Sequence, residues 1–229
     1  MTEFVIPPVA TPCVPVFGTS ARFPVHRIYC VGRNFAEHAR EMGAEPPPRG
    51  QPVFFMKPAD AIHVEGDGDV PYPTGTADLH HEVELVVALG RDADGVVEPR
   101  DALDLVFGYT VGLDLTRRDL QAQAKDKRLP WDTAKGFDHS APLAALVPGR
   151  AVPTGALWLR VNGGERQRAP LTDMLFGVED ALHELSKLFA LRAGDLLFMG
   201  TPAGVAAMSR GDAFEAGVDG LATFAGRIV

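Results

Sequence analysis

Short runs of β-branched and large apolar residues, separated by turn residues, dominate the chain, and long amphipathic repeats are scarce. Runs at 26–31, 53–57, 81–89, 106–115, 157–161 and 195–199 predict strands. The pair Asn162-Gly163 follows the fifth run, and Arg166 to Arg168 beyond it completes a predicted hairpin. Three segments break the pattern. Asn34 followed by Glu37 resembles a capping box and predicts a helix of about two turns through Met42, which then meets Gly43 and Pro46-Pro47-Pro48. Residues 116–127 contain neither Gly nor Pro and predict a second, polar helix. Over 178–191, Val178, Ala181, Leu182, Leu185, Leu188 and Phe189 recur at helical spacing ahead of Gly194, which predicts a core-packing helix. The sum is a mainly β, α+β protein.

Composition adds boundaries to that picture. The 229 residues suffice for a core without disulfide or metal staples, and 24 Gly with 19 Pro favour many short elements over a helical bundle. No composition shift marks a linker, so one domain is expected over 21–229, behind an N-terminal arm over 1–20 that carries four prolines. The net charge of −8 disfavours nucleic acid and anionic membranes as partners, and it requires that any anionic ligand find local positive charge. No apolar run reaches the ~20 residues of a membrane helix. The N-terminus has no basic flank ahead of an apolar core, and two cysteines are ordinary in a reducing compartment, so a cytoplasmic protein is expected.

The sharpest candidate chemistry lies in the third run. In a strand, Glu82 and Glu84 face the same side while Val83, Leu85 and Val87 face the other. Two such carboxylates repel unless a divalent cation relieves them, and all-oxygen ligation suits Mg²⁺, Mn²⁺ or Ca²⁺. The plain alternative is a solvated acidic face, with His80 a ligand or merely a neighbour. Asp114 ends the fourth run and reads equally as a helix N-cap. Lys135 sits among Trp131, Ala134 and Phe137, where burial would depress its pKa unless an anion stood nearby. His38 and Glu41, three apart, share a helix face on which the carboxylate can orient the imidazole as a general base. The turn around Thr201 can aim backbone N–H groups and a hydroxyl at a carboxylate.

Six segments in order, YCVGRNFAEHAREM (29–42), FMKP (55–58), HEVELVV (81–87), GYTVGLDLTRRDLQ (108–121), PWDTAKGFD (130–138) and GDLLFMGTPAGV (194–205), resemble the fumarylacetoacetate hydrolase family. Within it, ADLHHEVE (77–84) with KGFDHS (135–140) is similar to the bacterial fumarylpyruvate hydrolases among the short acylpyruvate hydrolases. The resemblance implies a mixed β-sandwich roll, a homodimer, and one Mg²⁺ or Mn²⁺ held by Glu82, Glu84 and Asp114. It further implies His38 and Glu41 on a lid helix, an active-site Lys135, and substrate contacts from Arg118, Gln121 and Thr201. The implied substrate is a small 2,4-diketo acid, fumarylpyruvate first, cleaved to fumarate and pyruvate in aromatic-acid breakdown. Oxaloacetate decarboxylation or general acylpyruvase activity on the same metal is the alternative, and a catalytically silent metal-binding protein is a third reading. Arg33 and Lys57 are the candidates for reading a distal carboxylate.

Overall fold

The computed structural model describes residues 3–48, 50–64 and 69–229. The predicted strands form at Arg27–Gly32, Val53–Lys57, Val83–Leu89, Val106–Leu113, Ala156–Val161 and Asp195–Phe198. Five of them share a mixed sheet in the order Val53–Lys57, Arg27–Gly32, Asp195–Phe198, Val83–Leu89, Val106–Leu113, continued by Ala141–Leu143 and Ile62–Val64. Asp195–Phe198 runs parallel to Arg27–Gly32 and antiparallel to Val83–Leu89. Ala156–Val161 belongs instead to a four-stranded antiparallel sheet with Gly164–Pro170, Ala213–Val218 and Ala222–Arg227. Its hairpin turn places Asn162 and Gly163 at φ 51° and 78°, the positive values that a two-residue turn of this kind requires.

The period-two pattern explains how the layers close. Along Val83–Leu89, Val83, Leu85, Val87 and Leu89 enter a core shared with the second sheet and with the helix Val178–Ser186. Val86 and Ala88 enter a second core with Ile28, Cys30, Leu143 and Phe198. Both faces of this strand are therefore buried, as expected at the centre of a covered mixed sheet. Within the expected arm, residues 1–2 lie outside the described residues, and the chain is tied down from Cys13 onward. Cys13–Pro15 pairs with Arg22–Pro24, Phe17 N donates to Leu146 O (2.8 Å), and Leu146 N donates to Pro15 O (2.9 Å). Among the described residues, no helix is long and apolar enough to cross a membrane.

Three predicted boundaries need correction. The first helix spans Ala36–Glu41 without a capping box, because Asn34 is buried and engaged elsewhere. Its Nδ2 donates to Phe176 O (3.0 Å) and Met199 O (2.7 Å), and its Oδ1 accepts from Phe176 N (2.8 Å). The second helix is Arg118–Lys127, with Thr116 and Arg117 extended against Leu79–His80. The third ends at Ser186, whose hydroxyl donates to His183 O and accepts from Val97 N, so that Leu188 is left 64% exposed. Asn34 thus joins three segments through its side-chain amide. Asn34→Ala would strand three buried backbone groups, and a loss on the order of 3 kcal/mol, read as a lower urea midpoint at unchanged slope, is expected.

Candidate active site

Strand pairing brings the carboxylates together. Val83 pairs with Leu113 in the antiparallel ladder, and Asp114 N donates to Glu82 O (2.8 Å), so the residues flanking both strands meet at one sheet end. Glu82, Glu84 and Asp114 each offer an oxygen, and these oxygens lie within 4.8 Å of one another. They are only 4%, 2% and 0% exposed, which removes the reading of a solvated acidic face or a simple helix cap. His80 stands apart from this group, its Nε2 bonded to Asp78 Oδ1 at 2.9 Å.

Three buried carboxylates require compensation. Lys135, from the short helix Asp132–Lys135, donates to Glu82 Oε2 (2.7 Å), Asp114 Oδ2 (2.5 Å) and Thr116 Oγ1 (2.8 Å). Burial opposes its charge, but Asp114 and Glu82 outweigh that and push its pKa up to about 12. Arg118 donates to Glu82 Oε1 (2.5 Å) and to Gln121 Oε1 (2.7 Å). Burial likewise works against the Glu82 charge, yet Lys135 and Arg118 hold its carboxyl well below the usual range. Among the described residues Glu84 has no such partner, and its one side-chain hydrogen bond is from Gly200 N to Oε2 at 2.7 Å. Burial, reinforced by Asp114 and Glu82, pushes its pKa well above the usual carboxylate value. Gly200 is needed there, since it holds φ +87° and an added Cβ would lie 2.7 Å from Asn34 Cβ.

Lys57 does not face the cleft. Its side chain is sealed behind Asp114, with Nζ 2.8 Å from Asp114 Oδ1 and further bonds to Leu115 O and Lys135 O. The expectation that it reads a distal carboxylate is therefore corrected: its charge is already committed to holding Asp114, because the sheet covers the face on which it lies.

Across a narrow inner cavity of about 40 Å³ stand His38, Arg33, Met42, Phe55 and Trp131, facing the triad together with Arg118, Gln121 and Thr201. His38 Nδ1 lies 3.5 Å from Glu41 Oε2, and Glu41 accepts from Gly204 N at 3.1 Å to each oxygen. Glu41 thereby ties the helix to the loop 200–204. Burial lowers the His38 pKa more than the neighbouring carboxylates raise it, which favours the neutral imidazole.

Two participants escaped sequence reasoning. Gln167, buried on an otherwise exposed hairpin strand, accepts from Val83 N and faces His81 Nδ1, while its Nε2 donates to Thr201 Oγ1 at 2.8 Å. Because that bond occupies the acceptor side of Thr201, the hydroxyl proton is left to point elsewhere. The other is Lys125, which reaches the same cavity from the helix Arg118–Lys127 and lies 5.5 Å from the Trp131 ring centre. Its position within a predicted polar helix carried no signal that separated it from Lys127.

The family model described as fumarylacetoacetate (FAA) hydrolase C-terminal matches residues 27–229. A crystal structure of fumarylpyruvate hydrolase from Pseudomonas aeruginosa, in complex with Mn²⁺ and pyruvate, superposes with a TM-score of 0.94 at 41% identity, covering 99% of each chain. The mitochondrial oxaloacetate tautomerase of Rattus norvegicus is 44% identical over 197 residues, 85% of this chain and 87% of its own. The mitochondrial oxaloacetate decarboxylase of Dictyostelium discoideum is 37% identical over 200 residues, 86% of this chain and 90% of its own.

Proposed function

The chain belongs to the fumarylacetoacetate hydrolase family, and from that premise we propose a divalent-metal-dependent hydrolase that cleaves the C–C bond of acylpyruvates, fumarylpyruvate foremost. One observation carries the reading: His38, a buried imidazole favouring its neutral form, lines the same cavity as the buried triad and is backed by Glu41. Decarboxylation on a metal does not call for such a base, whereas hydrolysis does.

The donor set fits a hard divalent cation. Glu82, Glu84 and Asp114 present oxygen only, and Glu84 is a buried carboxylate with no cation partner among the described residues. When bound there, Mg²⁺ or Mn²⁺ supplies Lewis-acid polarisation of the 2-keto acid end.

The chain's own residues do the rest. The Glu41 carboxylate, 3.5 Å from His38 Nδ1, favours the tautomer with its proton on Nδ1, which leaves Nε2 to take a proton from water as the oxygen attacks the distal carbonyl. The C–C bond then breaks, its electron pair leaves with the pyruvyl fragment, and a proton at that carbon completes pyruvate. Lys135, whose ammonium form Asp114 and Glu82 favour, provides positive charge to the oxyanion or the proton to the leaving carbon. Arg118 and Gln121 hold the keto-acid carboxylate, and the Thr201 hydroxyl, with Gln167 as its donor, turns its proton toward the substrate. The enzyme so proposed is a cytoplasmic homodimer.

The two oxaloacetate enzymes among the relatives favour a second reading, turnover of oxaloacetate on the same metal. Pyruvate release from fumarylpyruvate, acetylpyruvate and oxaloacetate on one preparation with Mn²⁺, with the ultraviolet absorbance of enol oxaloacetate followed beside it for tautomerisation, separates them. Fumarylpyruvate is expected to show the highest kcat/KM; a higher value for oxaloacetate overturns the hydrolase reading.

A further inference from the structure

Outside the inner cavity the cleft widens into a vestibule of about 550 Å³, and Arg33, Met42, Lys125 and Trp131 line both. The vestibule wall carries three cations, Arg33, Lys125 and Arg128, and no carboxylate, in a protein of net charge −8. Among the described residues, none of the three is spent in an ion pair, unlike Lys57, Arg118 and Lys135 at the triad.

We infer that this vestibule is a second anion subsite, in which Lys125 and Arg33 hold the far carboxylate of a dicarboxylic acyl substrate. The inference deepens the proposed hydrolase reading and rests on it for the identity of the substrate. With a pyruvyl end seated at Glu82, Glu84 and Asp114, an acyl tail that passes from the inner cavity into the vestibule runs along the residues that line both, Arg33, Met42, Lys125 and Trp131. Met42 and Trp131 give that path an apolar lining, and the terminal carboxylate of the tail then arrives among the cations Arg33 and Lys125. The cations also repel one another: burial, then Arg118 and Arg33, lower the Lys125 pKa, and an anion between them relieves that repulsion. This supplies the local positive charge that an acidic protein needs for a dianionic substrate.

The test compares the ratio of kcat/KM for fumarylpyruvate over acetylpyruvate in the wild type, Lys125→Glu and Lys125→Arg. Lys125 projects from an exposed helix turn, so both variants retain the fold's buried contacts. Lys125→Glu is expected to lower the ratio about tenfold or more, and Lys125→Arg to restore most of it. An unchanged ratio in Lys125→Glu overturns the subsite. If the wild type cleaves neither acylpyruvate, the hydrolase reading fails, and the subsite is then read by calorimetric titration with fumarate against crotonate. A fumarate preference abolished by Lys125→Glu upholds it; equal binding of the two acids overturns it.

Discussion

Glu84→Gln is expected to yield a folded protein that no longer gains stability from Mn²⁺ and releases no measurable pyruvate. Glutamine keeps the volume of the side chain and an oxygen for the Gly200 N–H that Glu84 accepts from. What it removes is a buried charge crowded by Asp114 and Glu82. The sign with pH follows. Because the folded-state pKa of Glu84 is raised, the stability linked to its proton is full below the ordinary carboxylate pKa and is lost as pH rises through the raised value. The metal-free wild type therefore weakens relative to Glu84→Gln over that window, while saturating Mn²⁺ reverses the order by adding binding free energy to the wild type alone. Thermal unfolding with and without Mn²⁺ at several pH values, beside a pyruvate assay, checks both halves. Full activity after exhaustive chelation, or metal stabilisation equal in the two proteins, removes the triad as the metal site. Glu82→Ala is a poorer test, since it strands Lys135 and Arg118 without their shared carboxylate and would cost about 3–5 kcal/mol by itself.

The contrast between these glutamates shows what a sequence reveals of a site and what it does not. Period-two parity placed Glu82 and Glu84 on one side of a strand, and the structure keeps them there. Burial, however, depends on what covers that side, and Val86 and Ala88 continue it into a second core that no local pattern announces. The strands themselves were legible because β-branched runs between turn residues are a local signal. The failures were long-range. Asn34 looked like a helix cap because its sequence neighbours permit one, but its partners, Phe176 and Met199, lie 142 and 165 residues away. Lys57 looked like a free cation at a strand end, and only the arrival of Asp114 from another strand shows that its charge is committed. Gln167 and Lys125 belong to segments whose sequence describes a hairpin arm and a polar helix. Their roles arise from the two sheets closing on each other and from the helix Arg118–Lys127 passing the cavity mouth.

His38→Ala is expected to lower hydrolysis of acylpyruvates by on the order of 10² or more, the usual contribution of a positioned general base, while oxalate, a mimic of the keto-acid end, still binds. The binding control matters because the imidazole also packs against the cavity wall, and a loss of both binding and turnover would signal a collapsed cleft. The pH profile supplies a second readout. Hydrolysis needs the neutral imidazole, and burial lowers the His38 pKa, so the acidic limb of kcat/KM should fall below the ordinary histidine value of about 6.5. Glu41→Gln keeps a side chain that can still face Nδ1 but removes the charge that favours the imidazolium formed during attack. The limb should therefore move further toward acid, and the rate should fall less than in His38→Ala. Near-normal turnover by His38→Ala takes the pair out of the mechanism. Oxaloacetate distinguishes the remaining possibilities: decarboxylation draws its electrons to the keto-acid end and consumes no attacking water. If it survives in His38→Ala while fumarylpyruvate cleavage is lost, the triad serves both reactions and the His38 imidazole serves hydrolysis but not decarboxylation.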